Sequence, residues 1–337
     1  MFHLLQLTDI IKAMITYIVF DLEWNQASGR NESVPGMPFE IIEIGAVKLD
    51  SELREIDTFR GVVKPVVYPK IHFRTCEVIN IGIEELRKEG TPFRKACGAF
   101  ISWCYKEGET PRFCTWGDAD TIQLQRNLRY YKMKSPFPYP FLFYDVQKLY
   151  SLDKGIGRQK VYPLDEAVQE MGLECNELFH RALDDARYTA KILQNIDMDR
   201  LKPYVSVDYF RLPASGDELI YLKFPDYSKY VSCAYDTKEC MMSDKQVTDM
   251  ICPRCNRLLR KKIRWFSTNT RQHHCIAVCP EHGYVKGKIR TKHTDDDKVF
   301  AVKTIKVVSE DVARTYEQRY AETQCVRHEK NRLRRRK

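Results

Sequence analysis

The sequence lacks a long uninterrupted apolar segment. Its apolar amino end, Met1–Phe20, is interrupted by Asp9 and Lys12, and no small-residue cleavage site follows it. A helix that crosses a bilayer needs about 20 predominantly apolar residues in a row. We therefore expect no signal peptide and no membrane span. Residues 1–14 are interpreted as a possible amino-terminal extension, because Met14 is a second candidate start.

The cysteines lack the regular spacing of a disulfide framework. Twelve cysteines occur in 337 residues without a secretory signal, which favours a reducing compartment and predicts a cytoplasmic protein. Hydrophobic residues form 43% of the chain and aromatic residues 12%, values typical of globular proteins rather than disordered ones. The length accommodates one sizeable domain and a smaller one.

Acidic residues are scarce near the carboxyl end. Residues 252–337 contain 23 Lys/Arg and 9 Asp/Glu, a balance of +14. The whole chain carries +9, so residues 1–251 carry −5. This division predicts an acidic body joined to a basic module that binds a polyanion. A solvated basic tail without a specific partner is the alternative.

Hydrophobic periodicity predicts the fold class. Three early strands, at residues 17–25, 41–49 and 59–64, begin an antiparallel sheet. Strands and helices then alternate as far as Asn195, which predicts an α/β fold with a mixed sheet flanked by helices.

The predicted domains follow from this pattern and from the cysteine positions. They are an α/β domain over residues 15–200, a connector over 201–250, a small zinc module over 251–293 and a polar, basic helical tail over 294–337.

Two carboxylates end the first core strand. Asp21 and Glu23 are separated by one residue, so alternation along the strand places both side chains on one face. Adjacent acids repel each other, and a divalent cation bound by both is the usual reason for such an arrangement. An ordinary strand end that faces solvent is the alternative.

Three further sites carry acids or a histidine. Asp118 and Asp120 lie where a predicted strand gives way to a helix, and an acid at that position is also a common helix cap. His180 precedes the neighbouring acids Asp184 and Asp185. Helical geometry does not decide between these two, because the apolar stripe leaves both at its flank.

The order Asp-x-Glu, then Asp, then His-x4-Asp resembles the DEDDh exonucleases. This family has a ribonuclease-H-like fold and includes proofreading polymerase subunits, ribonuclease T and the 3′-exoribonucleases that trim histone stem-loops and small RNAs. The resemblance covers residues 15–197. It favours Asp120, which has Leu124 on the next turn, and Asp185, which has the family's spacing from His180. The segment near Ile79–Leu86 departs from the family's Leu-Thr-Gly-Ile form.

The resemblance implies a two-metal mechanism. Four oxygen ligands suit Mg²⁺ or Mn²⁺ rather than zinc, and two such ions can stabilise the attacking and leaving oxygens of a phosphodiester. Asp21 would bridge the ions, His180 would be the general base that activates water, and a bound 3′ hydroxyl would direct attack to the last linkage. The implied metal ligands are Asp21, Glu23, Asp120 and Asp185.

The two residues after Glu23 are predicted substrate contacts. Trp24 could stack on the terminal base, and Asn25 follows it directly. Simple core packing is the alternative for Trp24.

Two similar knuckles predict a structural zinc site. Cys252-Pro-Arg-Cys255 and Cys279-Pro-Glu-His282 each hold two ligands two residues apart, and each is followed by a residue that tolerates positive φ. Cys275 is a second choice as ligand. Eleven basic residues between residues 254 and 292 oppose one acid, with three aromatic residues interleaved, which favours nucleic acid over protein as the partner.

These features predict a metal-dependent 3′–5′ exonuclease on single-stranded nucleic acid, RNA more than DNA, with a zinc ribbon that helps to hold the strand. A DNA proofreading or repair exonuclease is one alternative. A regulator that binds nucleic acid or protein through a nuclease fold is another, although a complete set of active-site residues argues against it.

Overall fold

The protein is described from a computed structural model, which covers residues 14–29, 32–78, 83–156, 161–174, 179–214, 218–269 and 271–334. Residues 1–13 of the predicted extension and the final Arg-Arg-Lys lie outside these ranges. The chain divides after Phe210 into two compact units. Among the described residues, no helix combines the length and apolar character that crossing a bilayer requires.

The first unit contains a six-stranded mixed sheet of order β3-β2-β1-β4-β5-β6. The first three strands pair antiparallel, β1 with β4 and β4 with β5 pair parallel, and β6 returns antiparallel. The strands are β1 Met14–Gln26, β2 Phe39–Leu49, β3 Glu55–Val62, β4 Glu109–Thr115, β5 Leu142–Asp145 and β6 Ser206–Val207.

Helices cover both faces of this sheet. They are α1 Phe73–Val78, α2 Ile83–Glu89, α3 Phe93–Cys104, α4 Ala119–Tyr130, α5 Val146–Asp153, α6 Leu164–Glu170, α7 Ala182–Asn195 and α8 Met198–Leu201. Tyr17 and Val19 of β1 pack with α5 to α8, while Ile18, Phe20 and Leu22 pack with α3 and α4. This alternation is the period of two that the sequence shows, and the predicted fold class is confirmed.

The second unit is built on a six-stranded antiparallel sheet of order β7-β8-β12-β11-β10-β9. Its elements are β7 Ile220–Lys223, β8 Tyr227–Val231, α9 Lys238–Ser243, α10 Lys245–Thr248, β9 Lys261–Asn269, β10 Gln272–Cys279, β11 Gly283–His293, β12 Val299–Val307 and α11 Glu310–Arg334.

This unit differs from the predicted division into connector, ribbon and tail. The connector, residues 201–250, contributes β7 and β8, and the tail, residues 294–337, contributes β12 before its helix begins. The reason is pairing between distant segments: β12 lies between β8 and β11. Strands that contain buried lysines such as Lys229 and Lys303 do not show a clean apolar alternation in sequence.

Gly45 of β2 allows α7 to approach the sheet. A Cβ atom placed at Gly45 would lie 2.0 Å from the backbone nitrogen of Leu183 and 2.1 Å from the backbone carbon of Ala182. Real side chains do not reach such distances, so the first turn of α7 rests directly on the backbone of β2.

We expect Gly45→Ala to push α7 off the sheet and to lower the free energy of unfolding by about 1–3 kcal/mol or more. Gly98→Ala is the matched control, because Gly98 lies in α3 with no atom within 4 Å of its added Cβ. That variant should be neutral or stabilised by up to ~1 kcal/mol. Urea unfolding measures both, and equal stabilities would contradict the close approach.

Candidate active site

The carboxylates of β1 face α7. Asp21 lies opposite Gly45 and Glu23 opposite Glu43 in the antiparallel pair of β1 with β2. Both acids share the face of Tyr17 and Val19, the face that packs with α7. The register shifts directly after Glu23, so the two acids are the last residues of the regular part of this pairing.

Helix α7 brings His180 and Asp185 to the same place. One ligand atom each from Glu23, His180 and Asp185 lies within 4.8 Å of the others. The backbone N–H of His180 donates to Asp185 Oδ2 at 3.1 Å, and His180 has a φ of 68°. A histidine in the left-handed region is unusual, so neighbouring contacts must hold this turn. The neighbouring acid Asp184 instead pairs with Arg187 at 3.4 Å.

Helix α4 supplies Asp120 rather than Asp118 to this cluster. Asp120 is buried, and its Oδ1 accepts a hydrogen bond from the backbone N–H of Leu22, between the two acids of β1, at 3.2 Å. Asp118 is exposed at the helix start and makes no capping hydrogen bond with its side chain. The geometry therefore groups Asp120 with Asp21 and Glu23.

Burial and mutual repulsion disfavour charge on this cluster. Burial, followed by the charges of Asp120 and Glu23, raises the pKa of Asp21 well above its usual value. Burial raises the pKa of Glu23 to about 8, and the charge of Asp185 adds to this shift. Burial also raises the pKa of Asp120 and of Asp185 to about 7. Crowded oxygen donors of this kind fit a divalent cation, which would relieve the repulsion.

Glu43 is a buried acid that the sequence analysis missed. Its side chain is 0% exposed, and it lies next to Glu23 across the β1–β2 pair. Oε1 accepts from Arg60 Nε at 2.7 Å and from Arg181 Nη2 at 3.3 Å, and Oε2 accepts from the backbone N–H of Ala182 at 3.2 Å. Glu43 thus fixes the residues directly after His180. The available signal was an acid between the apolar residues Ile42 and Ile44 of β2.

Asp208 is a second missed residue, and it supports α4. It is 5% exposed, and its carboxylate accepts hydrogen bonds from the Thr121 hydroxyl at 3.0 Å and from Gln125 Nε2 at 2.8 Å. Both donors lie on the helix that carries Asp120. Asp208 therefore helps to set the position of that helix against the sheet.

The prediction that Asn25 contacts substrate is corrected. Asn25 is 0% exposed, and its amide donates to the backbone oxygens of Tyr68 and Lys70 at 2.9 Å each. Its oxygen accepts from the backbone N–H of His72, also at 2.9 Å. The side chain therefore holds the chain over residues 68–72 and does not face a ligand.

Trp24 packs within the protein. Its ring lies 5.8 Å from that of Phe39, beside the apolar cluster of α3 and α4 and on the face opposite the acids of β1. This contact is the core packing that was the alternative for Trp24. The ring is half-buried, and its stacking on a base stays a prediction.

The two knuckles of the second unit bring four ligands together. Cys252, Cys255, Cys279 and His282 offer atoms that all lie within 4.8 Å of one another. The Sγ atoms of Cys255 and Cys279 are 3.7 Å apart, and His282 Nδ1 lies 3.6 Å from the Sγ atoms of Cys252 and Cys279. With Zn–S near 2.3 Å and Zn–N near 2.1 Å, a tetrahedral site has edges of about 3.6–3.8 Å. The donor set fits zinc.

The knuckle backbones have the conformation that their sequences indicate. Asn256 and Gly283, which follow the second ligand of each knuckle, have φ of 60° and 72°. Cys275, the second choice as ligand, is buried but does not belong to the group of four converging ligands, and its Sγ donates to the backbone oxygen of Ile263 at 3.0 Å.

The model of the RNase_T family, described as "Exonuclease", matches residues 18–193, which is 176 of 337 residues. The chain therefore belongs to this exonuclease family, and the predicted 3′–5′ exonuclease class is confirmed.

Two curated relatives and one solved structure are similar to this chain. A "Probable 3'-5' exonuclease KapD" of Bacillus subtilis is 27% identical over 184 residues, 54% of this chain and 85% of the relative. The ERI1 exoribonuclease 2 of Mus musculus is 29% identical over 208 residues, 53% of this chain and 28% of that protein. The nuclease domain of 3'hExo, described as a DEDDh family member bound to rAMP, is 20% identical with a TM-score of 0.48, covering 60% and 99% of the two chains.

The raised pKa values of the acids determine how stability depends on pH. Isolated carboxyls titrate near pH 4, so between about pH 4 and pH 8 the folded protein binds protons that the unfolded chain has already lost. Without divalent ions, stability therefore falls as pH rises, and Tm should be lower near pH 8 than near pH 6. Because Mg²⁺ binds the deprotonated acids, it should raise Tm more near pH 8.

Thermal unfolding with and without Mg²⁺ checks this expectation. Glu23→Gln should flatten the pH dependence, whereas Asp118→Asn, at an exposed position, should leave it unchanged. A metal-free protein whose Tm increases from pH 6 to pH 8 would contradict it.

Proposed function

We propose that this protein removes nucleotides from the 3′ end of single-stranded nucleic acid, RNA in preference to DNA, with two Mg²⁺ or Mn²⁺ ions. The observation that carries the proposal is the convergence of β1, α4 and α7 on one cluster of four acids and a histidine. The four acids of this cluster offer only oxygen donors, which are the ligands that hard cations prefer.

The residues of the cluster have separate roles in this proposal. Asp21, Glu23, Asp120 and Asp185 bind the cations, which stabilise the charge that develops on the phosphate oxygens. His180 accepts the proton of the attacking water, and its exposed position leaves it accessible to substrate and solvent. Glu43 holds the turn after His180 through Arg181 and the N–H of Ala182.

The preference for RNA rests on relatives. The chain aligns with ERI1 exoribonuclease 2 proteins over 48–53% of its own length, and the match covers 26–28% of theirs. The name of those proteins specifies RNA, while that of the Bacillus subtilis relative specifies no nucleic acid.

Matched RNA and DNA oligonucleotides labelled at the 5′ end test the proposal. We expect a ladder that shortens from the 3′ end, faster on RNA, dependent on Mg²⁺ or Mn²⁺ and stopped by chelation. Asp120→Asn and Asp185→Asn should each lower kcat by at least about 100-fold, a loss of roughly 2.7 kcal/mol of transition-state stabilisation.

Each of these variants has a neighbouring control. Asp118→Asn, two residues before Asp120, and Asp184→Asn, one residue before Asp185, remove the same charge outside the cluster, and both variants should retain most activity. Full activity in a folded Asp120→Asn protein would refute the metal-binding role of that residue. Equal rates on both oligonucleotides would refute the RNA preference alone.

Cys252, Cys255, Cys279 and His282 bind one structural Zn²⁺ in this proposal. Four protein ligands leave no open position for a substrate, so the ion stabilises the knuckles and takes no part in hydrolysis. The tetrahedral edge lengths described above support zinc, and so does the left-handed residue after each knuckle.

Elemental analysis of the purified protein should find one zinc ion per chain that survives dialysis. Cys252→Ser should lose this ion and lower the thermal stability of the second unit, because metal affinity contributes directly to folding. Cys275→Ser is the matched control: it changes a buried thiol outside the cluster and should retain the ion. Zinc-free wild-type protein with an intact second unit would refute the site.

A further inference from the structure

One short segment of the second unit concentrates positive charge. Residues 254–264 contain six basic residues and no acid. The segment runs from the first knuckle into β9, the edge strand of the sheet. The basic residues are Arg254, Arg257, Arg260, Lys261, Lys262 and Arg264.

Three of these residues carry charge that no described acid neutralises. Arg257 pairs with Glu281 and Lys262 with Glu317, each at 2.7 Å. Arg254, Arg260 and Arg264 are exposed, and none of them forms an ion pair with any residue that the structure describes. We call these three residues the arginine track.

Each residue of the arginine track lies in the first knuckle, in β9 or directly before β9. Arg254 lies between Cys252 and Cys255, so the first knuckle fixes its backbone. Arg264 lies within β9, whose pairing with β10 shifts register between Ile263 and Phe266. Arg260 directly precedes that strand. A row of cations at the edge of a sheet fits an extended polyanion better than a compact ligand.

Trp265 and Phe266, two of the three aromatic residues interleaved with the basic residues, pack inside the second unit. The indole N–H of Trp265 donates to the backbone oxygen of Thr248 at 2.7 Å, within the core on one face of the sheet. Phe266 is 2% exposed and packs against Tyr320 of α11. Both rings are engaged in packing, and the half-buried ring of Tyr284 lies beneath Lys262, whose Nζ is 5.0 Å from the ring centroid. The exposed arginines are therefore better placed for contact through phosphates than for support of base stacking.

The surface around the arginine track is a poor site for a protein partner. Leu258 is 64% exposed and Val278 of the neighbouring strand β10 is 42% exposed, and no other large apolar side chain is exposed among the described residues 251–269 and 272–279. Two side chains are far smaller than the contiguous apolar patch that marks a protein interface.

We propose that Arg254, Arg260 and Arg264 bind the phosphodiester backbone of a single-stranded nucleic acid without reading its bases. This inference rests on the proposed function for the choice of polyanion. It adds a site in the second unit, outside the cluster of acids, whose contribution depends on strand length and on salt and is independent of sequence.

Binding is measured on the full chain carrying Asp185→Asn, which should slow cleavage by at least about 100-fold, with a long single strand at several salt concentrations. Replacing all three arginines of the track by Gln should make the slope of log affinity against log salt shallower by about 2, because each lost phosphate contact contributes about 0.7 to that slope. Affinity at moderate salt should fall about 10- to 100-fold. A strand of the same length without bases should also bind the protein whose arginines are intact. Its slope of log affinity against log salt should equal that of the strand with bases.

The matched control removes three charges elsewhere in the second unit, with Lys245→Gln, Lys298→Gln and Arg314→Gln at exposed positions. It should leave slope and affinity near those of the protein with intact arginines. Zinc content and thermal unfolding show whether each variant is folded. In an otherwise wild-type chain, the arginine variant should cleave a very short oligonucleotide at the unchanged rate.

Three outcomes would overturn the proposal: an unchanged slope in the arginine variant, an equal loss in the control variant, or failure of the base-free strand to bind. Absence of cleavage by the wild-type chain would refute the proposed function instead. The binding measurements do not depend on cleavage, so the two failures are distinguishable.

Discussion

Repulsion among four crowded carboxylates is the constraint on which the first unit depends. Asp21 and Glu23 are side by side on one strand, and Asp120 and Asp185 approach them from two helices. Nothing in the acids themselves favours this arrangement, since burial and like charge raise the pKa of each. The surrounding packing therefore has to offset the unfavourable contribution of the cluster to the free energy of folding, and a bound cation would reduce that contribution.

That packing acts most directly on α7. Gly45 lets the helix begin in contact with the backbone of β2, and Glu43, two residues earlier, ties Arg181 and Ala182 to the same strand. His180 is thereby held in a left-handed conformation that most residues avoid. The buried ion pairs of Glu43 contribute position more than net stability, because desolvation offsets much of their attraction.

The sequence was most informative where function depends on local spacing. Alternation placed Asp21 and Glu23 on one face, the family's spacing from His180 selected Asp185, and each knuckle indicated a positive φ. Partners far apart in sequence were not predictable. Arg181 meets Glu43 across 138 positions and Thr121 meets Asp208 across 87, and no local pattern marks such pairs. Nor could periodicity show that β12 would pair with β8.

The strand order of the second unit also determines when its sheet can form during synthesis. The first unit needs residues only as far as Phe210, so it can fold while later segments are still being translated. In contrast, Ser232, next to β8, bonds with Ala301 of β12, 69 residues later, and β7 depends on β8. β7 and β8 leave the ribosome before β12, so they lack their final pairing partner until β12 has also been synthesised. Contacts this distant slow folding, so the nuclease fold can form well before the module attached to it.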